Sequence, residues 1–298
     1  MEKNHKKKIV VLSFENSSHI ATRIARTLDA LHSNVRANHF PDEDSYVRVM
    51  IPVTGCDVIL VQTLHPAPNN SLMELLFAAN VCKEQHARSI TFVIPYLAYM
   101  RQDKAFHEGE CITSRVMAKL LSSSCDKLIT LDPHLHRYHS LSDVFSVHCV
   151  KITAVPILAN YVKKNIADPL ILGPDAESNQ WSEAVAKEIG TTGVVLKKKR
   201  YTSRSVRIHL SIDVANRNVV IVDDIISTGH TMLETVKQLR KKKAKRIICL
   251  ATHGVLAERA LQKLQRAGAE VVTTNTINNS VAKIDVAQEI VEAIKKNY

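Results

Sequence analysis

The sequence predicts an α/β protein with mainly parallel sheets, and three observations carry that expectation. Short continuous apolar runs alternate with amphipathic helical stretches along the whole chain, the pattern of βαβ units whose strands are covered on both faces. The composition is that of an ordinary globular protein, with 45% hydrophobic and 23% charged residues. The 298 residues exceed a usual single domain, and the second half repeats the style of the first.

In order, strands are expected at IVVLSF (9–14), DVILVQT (57–63), SITFVIPY (89–96) and KLITLDP (127–133), with helices over 71–85 and 112–124. The second half gives PLILGPD (169–175), TGVVLKKKR (192–200), NVVIVDD (218–224), RIICLATH (246–253) and EVVTTNT (270–276). The likeness is closer than a shared class. Strand DVILVQT, a loop, a helix opening SLMELL, a basic turn and strand SITFVIPY are paralleled by NVVIVDD, a loop, TMLETVKQL, a basic turn and RIICLATH. Internal duplication explains this, with convergent βαβ patterning as the alternative. Two domains are expected, 1–148 and 149–298. Their equivalent loops differ: the second has DDIISTGHT, while the first has LHPAPNN and lacks the acidic pair and the glycine.

Eight glycines and nine prolines leave no low-complexity linker. No apolar stretch approaches the roughly 20 residues of a membrane span, and the apolar run after MEKNHKKK is too short for a signal peptide. Cys56, Cys82, Cys111, Cys125, Cys149 and Cys249 form no CxxC pair, which disfavours a zinc ribbon or disulfide framework and points to reduced thiols in a cytoplasmic protein. Forty Lys and Arg against 29 Asp and Glu give a net charge of +11, which calls for nucleic acid, an anionic membrane or phosphorylated small molecules as partners. The basic runs at 6–8 and 241–246 have no interleaved aromatics, so neither nucleic acid nor membrane is the expected partner.

VVIVDDIISTGHT (219–231) is the strongest chemical signal. A buried strand ends in Asp223 and Asp224, and Ser227, Thr228, Gly229, His230 and Thr231 open a helix. Backbone N–H groups at such a helix start, with the hydroxyls, make an anion site for a phosphate. The two carboxylates can accept hydrogen bonds from vicinal sugar hydroxyls or hold a hydrated Mg²⁺. Turn and helix capping by the same residues is the plainer alternative. The loop resembles the binding motif for phosphoribosyl diphosphate (PRPP) of type I phosphoribosyltransferases and ribose-phosphate diphosphokinases.

The rest of the chain resembles the diphosphokinases. VIPYLAYMRQDKAFHEGECIT (93–113) looks like that family's PYxxYxRQDK segment, LITLDPHLH (128–136) like its strand ending in Asp-x-His, HFPDEDSYVRV (39–49) like its FxDGExxVR segment, and SLMELL (71–76) like its NLMEL helix. The fold this implies is two similar phosphoribosyltransferase-like α/β domains related by duplication. The activity it implies is transfer of the diphosphoryl group of ATP to ribose 5-phosphate, dependent on Mg²⁺. The alternatives are a non-catalytic regulatory homologue and a phosphoribosyltransferase.

The resemblance assigns ATP contacts to Phe40, Asp42, Asp44, Arg101, Gln102, Asp103 and His134, and catalytic roles in a mobile flap to Lys198 and Arg200. Asp132, His134 and Asp175 are the implied metal ligands, and 223–224 with 227–231 the implied ribose 5-phosphate site. His136 and His139 are expected as neighbours only. It further implies a homo-oligomer with the ATP site near a subunit interface. Glu43 and His230 depart from the pattern, standing where glycine is usual.

Overall fold

The structure, a computed structural model, describes residues 8–297 apart from 176–177, 192, 196, 203–204 and 210–212, and side chains outside 194–212. The chain forms two compact units: residues through Ile152 together with those from Val286, and Thr153–Asp285.

The first unit runs β1 (Ile9–Ser13), α1 (Ser18–Leu28), β2 (Leu31–Asn34), β3 (Arg36–His39), β4 (Ser45–Arg48), β5 (Asp57–Val61), α2 (Pro68–Glu84), β6 (Ser89–Ile94), α3 (Thr113–Ser122), β7 (Lys127–Leu131) and β8 (His148–Ile152). Six strands pair in parallel in the order β2-β1-β5-β6-β7-β8, while β3 and β4 make a separate antiparallel hairpin. Because successive strand residues face opposite sides, Val10, Leu12, Val58 and Leu60 join one core with Leu75, Ala79 and Cys82 of α2 and Met117 and Leu121 of α3.

The second unit runs α4 (Val155–Asn165), β9 (Pro169–Gly173), α5 (Asn179–Ile189), β10 (Gly193–Val195), β11 (Lys197–Thr202), β12 (Ser205–His209), β13 (Asn218–Ile226), α6 (His230–Lys241), β14 (Arg246–Gly254), α7 (Ala260–Arg266), β15 (Glu270–Thr274) and β16 (Ala282–Ile284). Its parallel sheet has the order β10-β9-β13-β14-β15-β16, with β11 and β12 as a hairpin. Val219 and Ile221 pack with Met232, Val236 and Leu239 of α6, whereas Val220 and Val222 pack with Leu158 and Val162 of α4 and Val185 of α5. Counted along each unit, both sheets have the order 2-1-3-4-5-6, and both insert their hairpin after the second strand. The duplication read in the sequence is thus matched strand for strand.

Two sequence expectations change. TGVVLKKKR is not one strand: β10 ends at Val195 in the sheet, and the cationic run begins the β11–β12 hairpin. A parallel strand covered on both faces cannot bury four consecutive cations. The division at 148/149 also shifts. β8 belongs to the first sheet, and the last helix, α8 (Ala287–Asn297), packs on α1, β7 and β8 of the first unit. Among the described residues no helix is long and apolar enough to cross a membrane. The six cysteines are free thiols, and burial pushes those of Cys82, Cys125 and Cys249 up to about 12.

Candidate active site

In the second unit β9 and β13 lie side by side with Leu172 opposite Ile221. Their carboxyl ends therefore carry Asp175, Asp223 and Asp224 to one end of the sheet, where ligands of open α/β folds bind. Asp224 is buried and Asp223 half-buried, and the Asp224 N–H donates to Asp223 Oδ1 at 3.0 Å. Burial above all, and then the negative charges of Asp224 and Asp175, raise the Asp223 carboxyl well above the usual carboxylate range. Asp175 Oδ1 accepts the Ser178 N–H at 3.1 Å, just before α5 begins.

After β13 the chain turns through Ser227, Thr228 and Gly229 into α6. Gly229 has φ 70° and ψ 9°, the left-handed region, and a Cβ there would stand 3.2 Å from the Ala260 Cβ. Both facts favour glycine. His230 is the first residue of the helix, exposed, with Nδ1 2.8 Å from Thr228 Oγ1. The left-handed demand falls on Gly229, so histidine at 230 brings no backbone strain. Thr231 follows in the first turn, half-buried, as are Ser227 and Thr228. Uncapped N–H groups and three hydroxyls at the start of a 12-residue helix suit a phosphate. On β11, Lys198 pairs with Ile208 and Arg200 with Val206; their side chains lie outside the described residues.

In the first unit the β3–β4 hairpin carries Phe40–Asp44 at its tip. The Phe40 N–H donates to the Asp44 carbonyl at 2.8 Å, and Asp42 Oδ1 accepts the Asp44 N–H at 3.4 Å. Glu43 sits at φ 70°, so the position where glycine is usual does take a glycine-like conformation. Phe40 is 53% exposed and meets Tyr46 edge-on, with ring centres 6.0 Å apart.

The RQDK segment is divided. Arg101 and Lys104 are exposed and Gln102 half-buried, but the Asp103 side chain is wholly enclosed and accepts a hydrogen bond from Arg137 Nη1 at 2.5 Å. Asp103, one of the expected ATP contacts, is tied by this bond to the loop after β7. Lys104 Nζ stands 4.6 Å and the Arg137 guanidinium 5.6 Å from the Phe106 ring centre. Asp132 is buried at the end of β7 with φ 31°, and its N–H donates to the Ile152 carbonyl at 2.9 Å. The His134 and His136 rings meet edge-on at 3.8 Å. His136 and Arg137 are thus drawn closer to the candidate residues than the sequence implied. An Asp103–Arg137 pair 34 positions apart leaves no periodic trace to read.

Residues 9–124 match the N-terminal domain of ribose phosphate pyrophosphokinase, and residues 150–289 match the phosphoribosyl transferase domain. The ribose-phosphate pyrophosphokinase of Pyrococcus abyssi is 34% identical over 290 residues, 97% of this chain and 99% of that one. This chain belongs to the ribose-phosphate pyrophosphokinase family. The ribose-phosphate pyrophosphokinase of Methanopyrus kandleri is 32% identical over 96% of this chain and 99% of its own. The crystal structure of phosphoribosylpyrophosphate synthetase from Mycobacterium smegmatis superposes with a TM-score of 0.85 at 28% identity, covering 98% of this chain and all of that one. The expected fold class, two phosphoribosyltransferase-type domains with parallel sheets, therefore holds.

For a member of the ribose-phosphate pyrophosphokinase family the donor sets are apt. Asp175, Asp223 and Asp224 make an all-oxygen group suited to a hard divalent cation and to sugar hydroxyls. Burial first, and then the charges of Asp224 and Asp175, raise the Asp223 carboxyl, and a bound cation relieves the repulsive part.

Proposed function

We infer that this chain is a ribose-phosphate pyrophosphokinase that moves the β,γ-diphosphoryl group of ATP to the anomeric hydroxyl of ribose 5-phosphate, giving PRPP and AMP. The observation that carries the reading is the joining, within one unit, of three strand-end carboxylates to the left-handed Gly229 turn and the start of α6. That places a hydroxyl-binding group and an anion-binding group on successive residues of one strand, turn and helix start, the two chemistries a sugar phosphate needs.

The 5-phosphate is held by the Ser227–Thr231 turn, with His230 adding a donor beside Thr228. Asp223 and Asp224 accept from the ribose hydroxyls and orient the anomeric one. Phe40, Asp42 and Asp44 hold the adenosine part of ATP, and Arg101, Gln102 and His134 its phosphate chain. Asp103 acts through Arg137 as a positioning residue. Lys198 and Arg200 neutralise charge on the transferring group, whose displacement is chiefly a matter of in-line placement and electrostatic stabilisation. Asp132 and His134 in the first unit and Asp175 in the second are each proposed as Mg²⁺ ligands, and Mg²⁺ when bound would neutralise the diphosphoryl oxygens. A cytoplasmic homo-oligomer, with the Phe40 hairpin near a subunit interface, is the form in which we expect it to act.

The regulatory-homologue reading leans on Glu43 and His230, and the backbone accommodates both: one takes the left-handed conformation, and the other stands beside the glycine that does. A phosphoribosyltransferase leaves the first unit without a task. The deciding experiment incubates the protein with ATP, Mg²⁺ and ribose 5-phosphate and follows nucleotides by chromatography. AMP formation dependent on ribose 5-phosphate is expected; ADP alone, or no turnover, rejects the assignment.

A further inference from the structure

We propose that the first unit holds a second small-molecule site, for an unphosphorylated ribosyl compound of the nucleoside class, at the strand ends that mirror the carboxylate cluster of the second unit. The proposal rests on the duplicated topology and on a cavity, and is independent of the reaction assigned above.

The registers of the two sheets set the correspondence. Asp57 opens β5 opposite Ile9 of β1 and Ser89 of β6, as Asn218 opens β13 opposite Pro169 of β9 and Arg246 of β14. Counting forward from these pairs, Gln62 stands where Asp223 does, Thr63 where Asp224 does, and Glu15 where Asp175 does. A cavity of about 660 Å³ opens at this place, within the 300–1,000 Å³ typical of small-molecule sites. Gln62 and Glu15 both line it, joined by Asn16, Asn34, Arg36 and Glu74.

Gln62, which lines the cavity, holds a buried acceptor. It is 1% exposed, and its Oε1 has no hydrogen-bond partner. An enclosed amide oxygen left without a donor is costly, and a ligand hydroxyl or N–H entering beside it would restore the bond. Glu74, on α2, is held partly out of water, which raises its carboxyl, and lies 4.0 Å from His39.

The lining also says what the ligand lacks. In the second unit the phosphate is expected on a turn rich in hydroxyls and at the start of α6, which has no side-chain cap. The equivalent loop here contains Pro66 and Pro68, which have no N–H, and Pro68 is in the first turn of α2. Its carbonyls at Thr63 and His65 are taken by the Asn16 side chain at 3.0 and 2.9 Å, and the Thr63 N–H by Ser17 Oγ at 2.7 Å. Two carboxylates against one guanidinium make the cavity unfavourable for an anion. The hydroxyl-binding half of the duplicated site survives and the phosphate-binding half does not. Glu15, Glu74 and the Gln62 amide suit ribose hydroxyls. Arg36 can donate to a base carbonyl, and Phe14, Val35 and Ala37 supply apolar wall for the base.

The test is calorimetric titration of the full chain with inosine, repeated with saturating ATP and ribose 5-phosphate and with inosine 5′-monophosphate as ligand. Saturable binding at about millimolar or better is expected. It should persist with both substrates present and be about tenfold weaker for the monophosphate. In Gln62→Leu, and separately in Glu15→Gln, it should weaken about tenfold or more. Glu15 is exposed, so its variant carries the test if Gln62→Leu fails to fold by circular dichroism. Absence of binding, displacement by either substrate, monophosphate binding as tight as inosine, or indifference to the folded variants would each overturn the proposal. The AMP assay reads the assigned reaction separately, so either can fail alone.

Discussion

Asp223 shows how a single residue couples stability to function. Its carboxyl is raised by burial and by Asp224 and Asp175. Unfolded, it ionises at the usual carboxylate pKa; folded, it resists. Folding therefore loses stability as pH rises from the unfolded value through the folded one, and the loss persists above both. Asp223→Asn removes it. The expected gain is about 3 °C in Tm near pH 7, disappearing below about pH 4 where both states are protonated, together with a loss on the order of 10² in kcat/KM. Thermal melts across pH, beside the AMP assay, check both; an equal gain at acid pH would sink the account. Glu43 is the second case. A non-glycine residue at φ 70° costs about 1 kcal/mol, so Glu43→Gly should raise stability by about 0.5–1 kcal/mol in denaturant titration, the gain being trimmed by backbone entropy. The sequence showed that glycine was missing at 43 and at 230 alike. Only the backbone shows that one position is left-handed and the other helical.

Elements were legible where burial dictates pattern. Apolar runs such as VVIV and IICL, short, β-branched and bounded by polar turns, suit strands buried on both faces, and β13 and β14 are such strands. The hairpins were not legible: Arg36–His39 and Ser45–Arg48 are short, largely exposed strands without core-facing alternation and fall in no expected element, and Lys197–Arg200 is absorbed into the expected strand TGVVLKKKR. Two elements invite tests. Gly229→Ala places a Cβ against Ala260 in a left-handed turn that precedes α6. Stability should fall by about 1–2 kcal/mol, and the KM for ribose 5-phosphate should rise about tenfold while that for ATP holds. A parallel rise in both KM values argues against a local phosphate turn. On the β11–β12 hairpin, Lys198→Ala should lower kcat on the order of 10²–10³. A loss below about threefold removes Lys198 from the mechanism.

At the scale of the whole molecule, the duplication was readable from two matching strand-loop-helix-strand stretches, but the ownership of the last helix was not. α8 follows directly in sequence on β16 of the second unit, and its amphipathic face names no partner. In the structure it belongs to the first unit, burying Ala287, Ile290, Val291, Ala293 and Ile294. Lys127 Nζ donates to the Asn297 carbonyl at 2.5 Å, and His148 Nε2 lies 3.0 Å from Asn297 Oδ1. The segment from Val286 through α8 thus adds to the cover of the first unit's sheet through its contacts with α1, β7 and β8. Ile290, fully buried, is the place to probe this. Ile290→Ala leaves a cavity worth about 2–4 kcal/mol. If α8 is integral to the first unit, hydrogen exchange should quicken in β1, α1, β7 and β8 while β13 and β14 keep their protection, although they are much nearer in sequence. Loss of protection in β13 and β14 first would return the helix to the second unit.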